Sequence, residues 1–196
     1  MIHLRDKFKD HRIILGSRSP RRQALLEGLE IDFEVVGNGK IEETYPAALG
    51  KSDIPVYLAE KKAAAFDNLI DEKTVVITAD TIVWCNNEVL NKPSGRDEAI
   101  GMLQKLSGRR HQVISGVCVK SLCRCVSFYS LTSVFFKVLT PGEISWYVEK
   151  YRPFDKAGAY GIQEWIGYIG TEAIHGSYFN VMGLPVDKLY KVLIEF

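Results

Sequence analysis

The stretch TVVITADTIVW, residues 74–84, decides the expected fold, because it is β-branched and apolar on both faces. Strands that are buried on both faces lie in the centre of a sheet that helices cover. Helix-like and strand-like segments alternate before it, and two long strand-like segments follow it. The pattern predicts an α/β fold with a mixed sheet flanked by helices, and two lobes around a central cleft.

The segments on either side of 74–84 are predicted from their periodicity and punctuation. The other predicted strands are 12–15, 33–37, 111–121 and 124–139, the last two forming an antiparallel pair. The predicted helices are 20–29, 56–70, 97–108, 143–151 and 184–196. The polar stretch 40–55 is predicted to be a loop, and the glycine-rich stretch 154–163 to be irregular.

Helix ends are marked by specific residues. Ser19 and Pro20 suit an N-cap and a first helical position. Thr140 and Glu143 form the pattern of a capping box. Gly108 can end the helix before it.

Composition limits the classes of partner. The 196 residues carry a net charge of +1, so no overall field draws the chain to nucleic acid or to a membrane surface. No apolar run approaches the roughly 20 residues of a membrane span, and the charged first residues lack the apolar core of a signal peptide. The four cysteines form no CxxC pair, which favours reduced thiols. We expect a single domain over 1–196 in the cytoplasm.

The stretch GSRSPRR, residues 16–22, leads from the first strand into a helix. Backbone N–H groups at such a helix start bind phosphates. Ser17 and Ser19 add hydroxyl groups, and Arg21 and Arg22 can make bidentate contacts with phosphate. Two arginines at the positive end of a helix dipole are unfavourable unless an anion is present. A capped helix with solvated arginines is the alternative.

Asp80 interrupts the apolar strand 74–84. A buried carboxylate is costly unless it is paired, hydrogen-bonded or bound to metal. It is therefore either a functional group that faces a cleft or a carboxylate satisfied by a nearby lysine or amide. Glu42 and Glu43 could join it in holding Mg²⁺, which uses one or two carboxylates plus substrate phosphates.

Several other side chains are candidates for the same site. Lysines could neutralise charge on phosphates, although most lysines are simply solvated. The amide of Gln163 has the donor and acceptor that suit the edge of a base. The lysines are Lys61, Lys62, Lys92 and Lys156.

Seven motifs occur in an order that resembles the Maf family of nucleotide pyrophosphatases. They are SRSPRRQALL (17–26), EE (42–43), ADTIV (79–83), LNKP (90–93), LSGRRHQVISG (106–116), DKAGAYGIQ (155–163) and GSYFNVMGLP (176–185). The resemblance spans nearly the whole chain. It implies a strongly twisted mixed sheet, similar to that of the inosine triphosphate pyrophosphatases. It also implies cleavage of nucleoside triphosphates between the α- and β-phosphates with a divalent cation.

The resemblance carries roles over to matching residues. Asp80 matches the acidic residue proposed as general base, and Glu43 matches the second acidic residue. Mg²⁺ or Mn²⁺ would be held by Asp80 and Glu43, with either Asp80 or a metal-bound hydroxide driving attack on the α-phosphorus. The phosphate-contacting positions would be Lys62, Lys92, Ser17, Arg21 and Arg22. A homodimer is also implied.

The substrate branch is implied by three positions. Members that act on dTTP and UTP carry SPRR, ADT and YGIQ together, and this sequence has all three, at Arg21, Thr81 and Gln163. Modified pyrimidine triphosphates would be further substrates, in a house-cleaning role. The alternatives are a 7-methyl-GTP pyrophosphatase, a nucleotide-binding regulator of septum formation, and, with least support, an RNA-binding domain.

One position departs from the family pattern. The alanine-rich helix commonly carries EKA, and this sequence has KKA, with Lys61 in place of the usual glutamate. The change is minor if that glutamate only braces Lys62, but it affects metal affinity if the glutamate helps to hold metal.

Overall fold

A mixed sheet forms the framework of the protein. The computed structural model describes residues 3–37, 39 and 41–196. Its strands are β1 (Arg12–Leu15), β2 (Glu34–Val35), β3 (Thr74–Cys85), β4 (Glu88–Leu90), β5 (Arg110–Lys120), β6 (Cys125–Phe136) and β7 (Thr171–His175). The order across the sheet is β2-β1-β3-β5-β6-β7, and β4 pairs with β3.

The strand directions explain why the sheet is mixed. β1 pairs in parallel with β2 and with β3, whereas β4 pairs antiparallel with β3 and β7 antiparallel with β6. β5 and β6 are neighbours joined by residues 121–124 alone, which is too short for a parallel crossover and makes them a hairpin. The predicted α/β class with a mixed sheet is confirmed.

Helices flank this sheet. They are α1 (Leu4–Lys7), α2 (Pro20–Glu27), α3 (Asp53–Ala64), α4 (Arg96–Leu106), α5 (Pro141–Tyr151), α6 (Trp165–Gly170), α7 (Tyr178–Met182) and α8 (Val186–Glu195). The capping box of α5 is present, with the Glu143 N–H donating to Thr140 Oγ1 at 3.2 Å and the Thr140 N–H donating to Glu143 Oε2 at 2.7 Å. Gly108 follows α4 with a φ of +67°, as its predicted role at the helix end requires.

The differences from prediction have local causes. α3 begins at Asp53 rather than at Val56, because Pro55 falls in the first turn, where a missing N–H is tolerated. The short elements α6, β7 and α7 carry no strong periodicity and were not predicted. The loop predicted over 40–55 is irregular up to the start of α3 among its described residues, and Lys40 lies outside them.

One compact unit contains the described residues up to Asp80 together with 115–130 and 183–196. In it, Ala59 and Ala63 of α3 pack against Cys118 of β5. Small side chains allow this close approach: a Cβ at Gly116 would lie 2.2 Å from the carbonyl carbon of Pro55. The alanine-rich sequence of α3 therefore fits its place on the sheet.

The second compact unit contains residues 81–114 and 131–182. Its core includes the fully buried Tyr147 and the buried Phe136. His111 lies in this core, with Nε2 2.7 Å from the Tyr160 hydroxyl oxygen. Burial lowers the pKa of His111 to about 4, so the ring is neutral near pH 7. The single domain expected over 1–196 stays a prediction.

Two further observations concern the described residues. None of their helices has the length and apolarity that crossing a membrane requires. The four cysteines are free thiols, and the sulfurs of Cys118 and Cys125 lie 3.6 Å apart.

Candidate active site

The register between β3 and α3 places the buried carboxylate of Asp80. Thr78 and Asp80 are two residues apart on β3, so their side chains leave the same face of the sheet. The Thr78 hydroxyl donates to the Ala59 carbonyl of α3 at 2.7 Å. Lys62 lies three residues after Ala59 and therefore on the same side of the helix. This hydrogen bond thus sets the register in which Lys62 meets Asp80.

The Lys62 ammonium joins two carboxylates. Its Nζ donates to Glu43 Oε1 at 2.8 Å and makes a short hydrogen bond to Asp80 Oδ1. The side chains of Lys62 and Asp80 are each 8% exposed, whereas that of Glu43 is 39% exposed. Because a buried charge is costly without a partner, the two buried ions stabilise each other. Asp80 is thus a carboxylate paired with a lysine, and Glu43 gives the cluster a net negative charge that is partly open to solvent.

The two carboxylates of this cluster are oxygen donors of the kind that a divalent cation takes. Oxygens of Asp80 and Glu43 both contact one nitrogen atom, so they converge on one small region. No group of three or more histidine, cysteine, aspartate or glutamate side chains able to hold a metal ion occurs among the described residues. Mg²⁺ commonly uses one or two carboxylates and completes its shell with water and phosphate oxygens. The donor set fits that mode of binding.

The loop between β1 and α2 holds the next group of predicted residues. Ser17 is buried, and its Oγ accepts hydrogen bonds from the Ser19 N–H and from Arg22 Nη1, each at 3.3 Å. Arg22 Nε donates to the carbonyl of Gly183 at 2.9 Å. Ser19 takes the predicted N-cap position, but its side chain makes no capping hydrogen bond to α2. The loop is therefore held through Ser17 and Arg22.

Arg22 is electrostatically linked to the Lys62 cluster. Burial lowers the pKa of its guanidinium, and the charges of Asp80 and Glu43 act in the opposite direction. The neighbouring Arg21 guanidinium lowers the pKa further, so two cations repel each other at this helix start. An arginine nevertheless stays protonated in proteins. The first unit thus brings together six of the predicted residues: Ser17, Arg21, Arg22, Glu43, Lys62 and Asp80.

Thr81, Lys92 and Gln163, which were also predicted, belong to the second unit. Thr81 is half-buried on β3, and Lys92 is exposed just after β4. Gln163 is half-buried, and its Oε1 is fully buried without a hydrogen-bond partner among the described residues. An unsatisfied buried acceptor costs about 1–3 kcal/mol. A hydrogen-bond donor that gained access to this oxygen would remove the cost.

A buried network holds the segment that leads into Gln163, and sequence reasoning did not find it. The Tyr147 hydroxyl accepts from the Gly161 N–H at 3.1 Å and donates to Glu164 through a short hydrogen bond. Glu164 Oε1 also pairs with Lys156 Nζ at 3.1 Å. Burial, together with the Glu164 carboxylate, raises the pKa of Tyr147. In the sequence, the only signal for this network was Lys156 in the DKAG motif. Tyr147 gave no signal, because it resembles any core aromatic residue of an amphipathic helix.

Comparison with known proteins gives one family and many relatives. The family model described as "Maf-like protein" matches residues 12–196. A dTTP/UTP pyrophosphatase of Parabacteroides distasonis is 50% identical over 97% of this chain and 99% of its own length. A dTTP/UTP pyrophosphatase of Phocaeicola vulgatus is 52% identical over 96% of this chain and 97% of its own.

A third relative and one solved structure extend the comparison. A dTTP/UTP pyrophosphatase of Porphyromonas gingivalis is 48% identical over 97% of both chains. The structure of a HAM1 protein from Coxiella burnetii gives a TM-score of 0.42 at 12% identity, over 64% of this chain and 73% of that one.

Proposed function

This chain belongs to the Maf family, and on that premise we propose that it hydrolyses dTTP and UTP to the monophosphate and pyrophosphate. The observation that carries the proposal is the identity of about half of all residues, over nearly full length, with relatives named dTTP/UTP pyrophosphatase. Modified pyrimidine triphosphates would be substrates too. The enzyme would remove modified pyrimidine triphosphates from the cellular nucleotide pool, which is a house-cleaning activity.

The catalytic step that we assign to Asp80 is proton removal from water. The water oxygen attacks the α-phosphorus, the bond from the α-phosphorus to the bridging oxygen breaks, and pyrophosphate leaves. The water proton passes to the Asp80 carboxylate, at the oxygen that Lys62 does not hold. Support comes from the pairing of Lys62 with Oδ1, which fixes the orientation of the carboxylate. A general base of this kind contributes about 10²- to 10⁴-fold to a rate.

Cations on three elements would neutralise the triphosphate. Arg21 and Arg22 at the start of α2, with the Ser17 hydroxyl, would bind phosphate oxygens, and Lys62 and Lys92 would stabilise the charge on departing pyrophosphate. Positioning and charge neutralisation carry most of the catalysis in phosphoryl transfer. The repulsion between Arg21 and Arg22 supports this role, because a bound anion would relieve it.

A divalent cation, Mg²⁺ or Mn²⁺, fits the carboxylates of Asp80 and Glu43. Such an ion would supply charge neutralisation at the phosphate oxygens. Of the two carboxylates, that of Glu43 is the more exposed. Its ion pair with Lys62 would keep it directed to the ion.

The pyrimidine would be selected by Gln163 and Thr81. Uracil and thymine carry an N–H donor at N3, and the buried Oε1 of Gln163 is an acceptor that needs a donor. We further propose a cytoplasmic enzyme, in line with four free thiols, and a homodimer.

The test is a panel of nucleoside triphosphates incubated with the purified protein and Mg²⁺ or Mn²⁺, with pyrophosphate and orthophosphate measured separately. We expect pyrophosphate from dTTP and UTP and little from 7-methyl-GTP or the purine triphosphates. Pyrophosphate mainly from 7-methyl-GTP would contradict the roles of Arg21, Thr81 and Gln163. Nucleotide binding without any pyrophosphate would favour a regulator over an enzyme.

A further inference from the structure

Lys61, next to Lys62 on α3, makes a set of contacts that the proposed mechanism does not use. Its Nζ donates to the Glu42 carbonyl at 2.8 Å, to the Thr44 carbonyl at 3.2 Å and to Thr44 Oγ1 at 3.1 Å. These acceptors lie immediately before and after Glu43. The Lys61 ammonium group thus forms hydrogen bonds to the main chain on both sides of Glu43.

The two lysines hold the same loop in different ways. Lys62 binds the Glu43 carboxylate, whereas Lys61 binds the main chain that carries it. The ion pair between Lys62 and Glu43 is more than a third exposed at its Glu43 end. Exposed ion pairs hold their partners weakly, because water screens the charges and side-chain entropy opposes them. The main-chain contacts of Lys61 therefore add restraint to a carboxylate whose ion pair with Lys62 is partly exposed.

We propose that Lys61 is a positioning residue that holds the 42–44 loop so that Glu43 stays at the Lys62–Asp80 pair. Lys61 does not touch substrate in this assignment, and its effect on the reaction passes through Glu43. The proposal rests on the proposed function for its kinetic part only. A group displaced by about 1 Å can cost up to two orders of magnitude in rate.

The first measurement needs no activity. Lys61→Met keeps most of the side chain's length and removes all three donors. Digestion with a glutamate-specific protease, followed by mass spectrometry, should show cleavage after Glu42 and Glu43 at least about fivefold faster than in the unaltered protein. Cleavage after the exposed Glu72 should keep its rate and serves as the internal reference. Equal cleavage of the loop in both proteins would overturn the proposal.

The second measurement is a double-mutant cycle on UTP hydrolysis. We expect Lys61→Met to lower kcat about tenfold with KM changed less than about twofold, because Glu43 and not substrate loses its support. Lys61→Arg, which retains N–H donors, should restore kcat to within about threefold of the unaltered enzyme. In a Glu43→Gln background, adding Lys61→Met should lower kcat by a further factor of less than about two. The reason is that the effects of residues that act through one another are not additive.

Controls separate this proposal from general effects. Lys191→Met removes one positive charge from the exposed surface of α8 and should change neither kcat nor loop cleavage. A full tenfold loss for Lys61→Met in the Glu43→Gln background would overturn the positioning role, as would failure of Lys61→Arg to restore kcat. Absence of UTP hydrolysis in the unaltered protein would refute the proposed function, while the digestion would still test whether Lys61 holds the loop.

Discussion

Replacement of Asp80 by asparagine tests the general base with little change of shape. The asparagine side chain would keep an oxygen that can accept the Lys62 hydrogen bond now made by Asp80 Oδ1. It would lose the negative charge and the ability to take a proton from water. The same substitution therefore leaves the packing in place and removes the chemistry.

The structure sets different magnitudes for stability and for rate. The Lys62 ammonium stays charged, so the contact changes from an ion pair to a hydrogen bond between a charged donor and a neutral acceptor, which still contributes about 1.5–3 kcal/mol. The lower cost of burying an amide than a carboxylate offsets part of the loss of the ion pair. Lys62 also keeps Glu43 as a charged partner. We expect the free energy of unfolding to fall by about 1–3 kcal/mol, less than the 3–5 kcal/mol that follows when a buried ion loses its partner completely.

The rate should change far more. Loss of a general base costs about 10²- to 10⁴-fold, and a 10³-fold fall in kcat is about 4 kcal/mol of barrier at 1.36 kcal/mol per tenfold. The assay is pyrophosphate release from dTTP, with urea unfolding and calorimetric dTTP binding on the same preparation. Asp10→Asn, at an exposed position, is the control for loss of one negative charge. A kcat within tenfold of the unaltered enzyme, with the fold and binding intact, would refute the assignment of Asp80 as base.

Three further predictions concern the second unit. Gln163→Leu removes the buried acceptor, and kcat/KM for UTP should fall about 5- to 150-fold. This factor is the equivalent of the roughly 1–3 kcal/mol that an unsatisfied donor on the base would cost. The low rate with ATP should stay unchanged. Tyr147→Phe removes the hydroxyl between Gly161 and Glu164 and should lower the free energy of unfolding by about 1–3 kcal/mol in urea titrations, whereas Tyr168→Phe, at an exposed tyrosine, should not. The pKa of His111 is about 4 in the folded protein and 6.5 in the unfolded chain, so the unfolded chain binds more protons between these values. The free energy of unfolding should therefore fall by about 2 kcal/mol as the pH is lowered from 7.5 to 5.0. Urea titrations at the two pH values should show a smaller difference in His111→Gln.

Local signals in the sequence predicted the parts of the fold that depend on neighbours along the chain. The capping box of Thr140 and Glu143 needs two residues three apart, and both were visible. The central strand was visible from its apolar residues on both faces. In contrast, β7 spans only Thr171–His175 and has no buried residue, so no apolar alternation marked it. The contact of Tyr147 with Gly161 and Glu164 joins α5 to a later segment, and no spacing rule links those positions.

Asp80 was predicted from a violated local rule, whereas Lys62 was assigned through the family resemblance, although it too is a local misfit. Asp80 is a charge in an apolar strand, and Lys62 falls on the buried stripe of α3 that contains Ile54 and Leu58. Each misfit needs an opposite charge, and the fold places them together. Lys61 violates no rule, because the flank of a helix is an ordinary place for a lysine. Its partners are mainly backbone carbonyls, which every residue carries, so no pattern of side chains could have identified them.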